Sequence, residues 1–262
     1  MPATVAHVAA VLPIARFQRD WLVPSAWVIG SIVPDMAWVL FGQRAYYVAH
    51  SALGIVTFDV GLGVTLLAAW RWLLAEPVRD VLPRAIGERI PAGRGIRGRE
   101  WPGVVIGLAA GALTHVVWDS FTHVSRWGST HVPGLSSDLG GLPGYQWAQH
   151  VSSLVGTVIV AWFLWRRFHE TPPTPVADRR ATRWFGPAST LALVLIASAT
   201  AALAWASAET TSTHDLFFRV TLRSSAALFV GVLGCGVLWW RLPQRDGERR
   251  AKRSWWRPQT AR

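Results

Sequence analysis

The sequence predicts an all-α fold: a polytopic helix bundle in a membrane, with about six transmembrane helices and a short N-terminal re-entrant or interfacial helix. Three observations predict it. Hydrophobic residues make up 51% of the chain and charged residues only 16%, against about 25% charged in soluble domains. Six apolar runs reach the length of roughly 20 residues that a helix needs to cross hydrocarbon. The basic residues gather in alternate connections between those runs, the arrangement that orients helices in a bilayer. The net charge of +11 therefore belongs to the connections, and nucleic acid is not needed to explain it. A single cysteine, Cys235, excludes an intramolecular disulfide and any CxxC metal knuckle.

In chain order, Thr4 to Ala15 is apolar but too short to span, and it carries His7. No basic residue precedes it, so it does not read as a cleavable signal peptide. Trp21 to Phe41 is the first spanning candidate. Pro34 should kink it by removing a backbone donor, directly before Asp35. His50 to Leu74 is the second, with Asp59 inside it; a carboxylate facing lipid is costly, so Asp59 is expected to face another helix. Glu76 to Glu100 reads as a polar Arg/Gly loop, mobile and dispensable for any site. Trp101 to Phe121 is the third span, and Gly103, Gly107 and Gly111 give it two overlapping GxxxG units that allow close helix approach.

Tyr145 to Phe168 is the fourth span, opening on an unusually polar pair of turns with Gln146, Gln149 and His150. Gly186 to Ala206 and Leu216 to Trp240 are the fifth and sixth. The chain thus divides into a membrane core (1–168), a Pro/Arg linker (169–185), two C-terminal helices (186–241) and a basic tail (242–262). The tail should be disordered and lie against anionic headgroups. Basic connections at Arg79 to Arg99, Arg166 to Arg183 and the tail alternate with basic-poor ones around Arg44, Arg126 and 210–214, which puts both termini in the cytoplasm.

The third span ends in the stretch Thr114 to His123. As a helix it stacks His115, Asp119 and His123 at i, i+4 and i+8, on one face. Such groups on an apolar helix are costly unless paired, hydrated or bound to a metal. His with Asp is a usual ligand set for zinc, and for iron or manganese; an interhelical hydrogen-bonded cluster is the alternative. With helices alternating in direction, Asp35, His50, His115, Asp119, His123 and His150 all fall toward the non-cytoplasmic half. His7 joins them only if its helix dips deeply into the bundle.

The order Thr4-x-x-His7, Gly30-Ser31-x-x-Pro34-Asp35, His50-Ser51 and Gly111-x-x-x-His115-x-x-x-Asp119-x-x-Thr122 resembles a bacterial membrane family, the domain of unknown function numbered 4184. Gln149-His150-x-Ser152-Ser153-x-x-Gly156 resembles it too, so the likeness runs over roughly residues 3 to 168. Its motif layout is similar to that of membrane-bound metal-dependent hydrolases of bacterial inner membranes. The resemblance implies a metal-binding hydrolase site at His7, Asp35, His50, His115 and Asp119. A bacterial source also suits the composition, in which Lys252 is the only lysine among 26 basic residues.

Two functional readings follow. In the first, these residues hold a divalent metal, zinc before manganese or iron, leaving a position for water. His123 or His150 serves as general acid or base, and a site in the outer half suggests a lipid or lipid-linked substrate, such as a phosphoester. Arg219 and Arg223, an i, i+4 pair, could hold its phosphate or could simply snorkel to the interface. In the second, the same groups bind a structural metal, relay protons or ions, or specify helix packing in a transporter or accessory scaffold. No P-loop, GxSxG or HExxH motif is present, which removes several of the commoner soluble chemistries.

Overall fold

The computed structural model describes residues 4–16, 22–93, 95–176, 179–207 and 212–243. The basic tail after residue 243 and the start of the first predicted span at Trp21 lie outside the described residues. The described residues form helices and no named strand. Among the described residues, five helical stretches are long and apolar enough to cross a membrane, Ala52–Val81, Gly98–His131, Gly144–Glu170, Phe185–Ala206 and Asp215–Arg241, and there are six when a bent pair is counted as one span. The chain divides into two compact units. One holds Met1–Ala68 with Ile96–Glu170, and the other Ala69–Gly95 with the chain from Thr171 on.

In the first unit the bent pair is α1 (Pro24–Gly30) and α2 (Val33–Phe41), which meet at 52°. Pro34 causes the break. It has no N–H for the Gly30 carbonyl, and its ring clashes with the backbone one turn back. Then come α3 (Gln43–Ala49), α4 (Ala52–Val56) and α5 (Phe58–Ala68). Further on are α8 (Trp101–Thr122), the short α9 (Trp127–His131) and α10 (Pro133–Ser136), and α11 (Gly144–Glu170).

Helix α8 is the axis of this unit. A side chain at Gly111 would come within 2.5 Å of the Trp27 carbonyl oxygen, so only glycine lets α1 and α8 meet backbone to backbone. Val23, Ala26, Leu67, Val104 and Leu108 form the buried core around that crossing. The N-terminal segment is a pair of 3₁₀ turns, Thr4–Ala10 and Leu12–Arg16. It packs against α11 where a β-carbon at Gly156 would meet Ala6 at 2.8 Å, and both Ala6 and His7 are buried. A segment too short to span can therefore still insert.

In the second unit, α5 is continued by a π-helical turn, Ala69–Leu74, and α6 (Ala75–Val81). The short α7 (Arg84–Gly87) follows, and α12 (Phe185–Ala206) and α13 (Thr213–Arg241) complete the unit. The segment from Glu76 is thus more ordered than its Arg/Gly composition suggests. Asp80 accepts hydrogen bonds from the backbone N–H of Arg180 (2.8 Å) and Ala181 (2.7 Å) and from Trp239 Nε1 (2.9 Å). Arg79 is buried and bonded to Glu76 at 3.1 Å.

Candidate metal centre

The break between α1 and α2 supplies the first part of the site. A carbonyl at a helix break lacks its usual partner, and that of Ser31 accepts a 2.7 Å hydrogen bond from His115 Nδ1. The ring of His115 is fully buried and thereby fixed, with Nε2 as its free nitrogen. Asp35 stands in the first turn of α2, where a carboxylate is favoured by the helix dipole. Thr4 donates to Asp35 Oδ2 at 2.7 Å, leaving Oδ1 at 3.6 Å from His115 Nε2.

His50 repeats the arrangement. It caps α3, and its Nδ1 donates to the Tyr46 carbonyl at 2.8 Å. Its Nε2 lies 3.4 Å from Asp119 Oδ2, as does His115 Nε2. His7 stacks on His115 with ring centroids 3.8 Å apart, and its Nε2 is 3.5 Å from Asp119 Oδ1. His123, just past the end of α8, brings Nδ1 to 3.4 Å from the same oxygen.

A metal ion fits this donor set. A neutral imidazole has one N–H. In His115 and His50 that hydrogen is spent on a backbone carbonyl, so each Nε2 presents a lone pair to a carboxylate oxygen. Acceptor facing acceptor is relieved by a proton on an imidazole or by a bound metal cation. The 3.4–3.6 Å separations exceed the roughly 2.7–2.9 Å of a charged N–H···O bond. They match the spacing of about 3.3–3.6 Å between two ligands of a tetrahedral ion at about 2.0–2.2 Å. Two overlapping groups, His7/Asp35/His115 and His50/His115/Asp119, place one ligand atom from each residue within 4.8 Å of the others. Both nitrogens of His7, Asp35 Oδ1, His115 Nε2 and Asp119 Oδ1 are buried without a hydrogen-bond partner. Such orphaned polar atoms are expensive, and ligation would satisfy them. The carbonyls of Ser31 and Tyr46 act as the outer partners that orient metal-binding histidines.

The structure thus brings His7, Asp35, His50, His115, Asp119 and His123 together. It leaves His150 exposed on α11, with no contact to the cluster among the described residues. Arg219 and Arg223 belong to the second unit, where Arg223 donates to Ser207 Oγ at 2.9 Å. Asp59 is buried on α5, and both its carboxylate oxygens lack a hydrogen-bond partner.

Sequence reasoning did not single out Tyr46 and Arg126 as neighbours of the site. The Tyr46 ring packs on His50 with centroids 3.9 Å apart, and its hydroxyl accepts from Arg126 Nη2 at 2.9 Å. Burial pushes the Tyr46 phenol above its ordinary pKa, which keeps the hydroxyl intact. One signal was present: Arg126 is the only Arg or Lys between Trp101 and Trp165.

Spanning helices around a buried histidine–carboxylate cluster define an all-α, multi-pass membrane protein with a candidate metal site. The chain belongs to the family described as domain of unknown function DUF4184, which it matches over residues 1–237. The match extends well past residue 168 and takes in α12 and most of α13, so the C-terminal helices belong to the family unit. No curated protein and no solved structure matches the chain.

Proposed function

We propose that the protein is a membrane-embedded, metal-dependent hydrolase acting on a lipid or lipid-linked phosphoester near the outer leaflet of a bacterial inner membrane. The observation that carries this reading is the convergence of buried imidazole nitrogens and carboxylate oxygens at ligand spacing. His7, Asp35, His50, His115 and Asp119 would hold the ion, zinc by the N/O donor set and spacing. A bound divalent ion supplies Lewis acidity and lowers the pKa of water.

The chain's own residues supply the rest. Asp119 is the shared carboxylate of the cluster, and Ser31, Tyr46 and Thr4 hold its partners in place. His123 reaches Asp119 through Nδ1, and its side chain is 17% exposed, against 3% or less for the liganding residues. That makes it the member able to pass a proton to a leaving group. A lipid substrate is supported by an open apolar groove of about 620 Å³ between α8 and α11, walled by Leu113, Val117, Trp118, Phe121 and Ser152. Trp118 is at once a wall of that groove and an edge-on neighbour of the His7 ring.

The test is hydrolysis of phospholipids with varied headgroups in mixed micelles by the purified protein. Turnover that a chelator and His115→Ala each abolish supports the reading. A metal-loaded native protein with no turnover on any of them contradicts it. The alternative is a non-catalytic role as a structural metal site or proton relay. It is favoured by Asp59, a buried carboxylate that the hydrolase reading does not use.

A further inference from the structure

We infer that Arg126 is the anion-receiving residue of the site, binding a phosphate-class oxyanion presented to the His/Asp cluster. The inference rests on the hydrolase reading for its meaning but on separate observations for its evidence. Arg126 follows Ser125, whose φ of +58° makes it the one non-glycine residue in left-handed backbone among the described residues. A serine takes up that conformation at a cost. The turn folds the chain back from the end of α8, so that the Arg126 guanidinium lies 5.4 Å above the Tyr46 ring.

Its partners there are neutral. Nη2 donates to the Tyr46 hydroxyl at 2.9 Å, and the guanidinium carbon faces the ring. No carboxylate pairs with it among the described residues, whereas Arg79, Arg166 and Arg179 all have one. A half-buried guanidinium is normally matched by an anion, and its five N–H donors suit phosphate oxygens better than any other side chain. Among the described residues one of those donors is engaged.

Tyr46 links this cation to the cluster. The ring that carries Arg126 also packs on the His50 imidazole, and the carbonyl of the same residue holds His50 Nδ1. A phosphate meeting the cluster would thus have a positive charge one side chain away, with donors to spare. The charge also sits where the membrane rule gives it no job. It is the only Arg or Lys in a stretch of more than sixty residues, far short of an orienting cluster.

Calorimetric titration of inorganic phosphate into the full-length, detergent-solubilised protein tests the inference, with the metal content of each sample read by mass spectrometry. The variants are Arg126→Gln and Arg126→Lys. Arg126→Gln should weaken phosphate binding at least about tenfold, the loss of one charge-assisted hydrogen bond. Metal content and helical circular dichroism should stay native. Arg126→Lys, which keeps the charge but not the fork, should fall between. A second arm adds phosphatidic acid to the micelles. Displacement of phosphate assigns the anion to a lipid headgroup, no displacement assigns it to a free phosphate, and either leaves Arg126 as the receiver. Equal phosphate binding by native protein and Arg126→Gln overturns the inference. Absence of metal from the native protein would count against the hydrolase reading alone, since Arg126-dependent phosphate binding would still stand.

Discussion

At the scale of the residue, the candidate centre depends on a few hydrogen bonds that leave chosen atoms free. Thr4 is the clearest case. Its hydroxyl occupies one oxygen of Asp35 and so presents the other to His115. Thr4→Val should preserve the fold and weaken metal affinity about ten- to a hundredfold, the usual cost of losing an outer partner. Competition with a fluorescent chelator would measure it, and native affinity in the variant would remove Thr4 from the account. The imidazoles must be neutral to ligate, so acid should release the ion. Occupancy should fall with falling pH as protons compete with the ion for the ring nitrogens, as metal analysis at a series of pH values would show. A large part of this was legible in the sequence, because His115, Asp119 and His123 need only the helical period to be placed together. The outer partners were not. The Ser31 and Tyr46 carbonyls are backbone atoms, and Arg126 reaches Tyr46 only through a left-handed turn at Ser125.

At the scale of the element, a break and a close crossing set the geometry. Pro34 interrupts the first span, and at that break the Ser31 carbonyl is taken by His115. The bend could be anticipated from the proline; its use as a histidine acceptor could not, since that needs α8 alongside. Gly111 provides the closeness. Gly111→Ala would place a methyl group 2.5 Å from the Trp27 carbonyl and should destabilise the fold by about 1–3 kcal/mol, as overpacking does. Its melting temperature in detergent should fall and its metal affinity with it. A native melting curve would mean that α1 and α8 are not in contact there. The N-terminal segment shows where hydropathy runs out. Its length excluded a span, and only the notch at Gly156 shows that it inserts and carries His7 to the cluster. The stretch from Glu76 misled in the other direction, because Arg79 and Asp80 look solvated in sequence yet are held by Glu76, Arg180, Ala181 and Trp239.

At the scale of the whole molecule, apolar runs and arginine placement are sequence properties, so the helical membrane class was readable directly. Orientation is a further expectation from the same charges. Single cysteines at Ser137 and Gly93, in a Cys235→Ala background, should label from opposite sides of the membrane. Labelling of both from the cytoplasm would sink the proposed topology. The division into two units was not foreseeable from hydropathy, because the apolar stretch Ala52–Val81 carries no break in hydropathy at the boundary after Ala68. The measurement that bears most directly on the central claim is the metal content of the detergent-purified protein, native against His115→Ala, by inductively coupled plasma mass spectrometry. His115 is the residue shared by both ligand groups. The account predicts a stoichiometric divalent ion in the native protein and little or none in a variant that keeps its helical content. A native protein that binds no transition metal when supplied with zinc, manganese or iron, or a variant that binds it equally well, would contradict it.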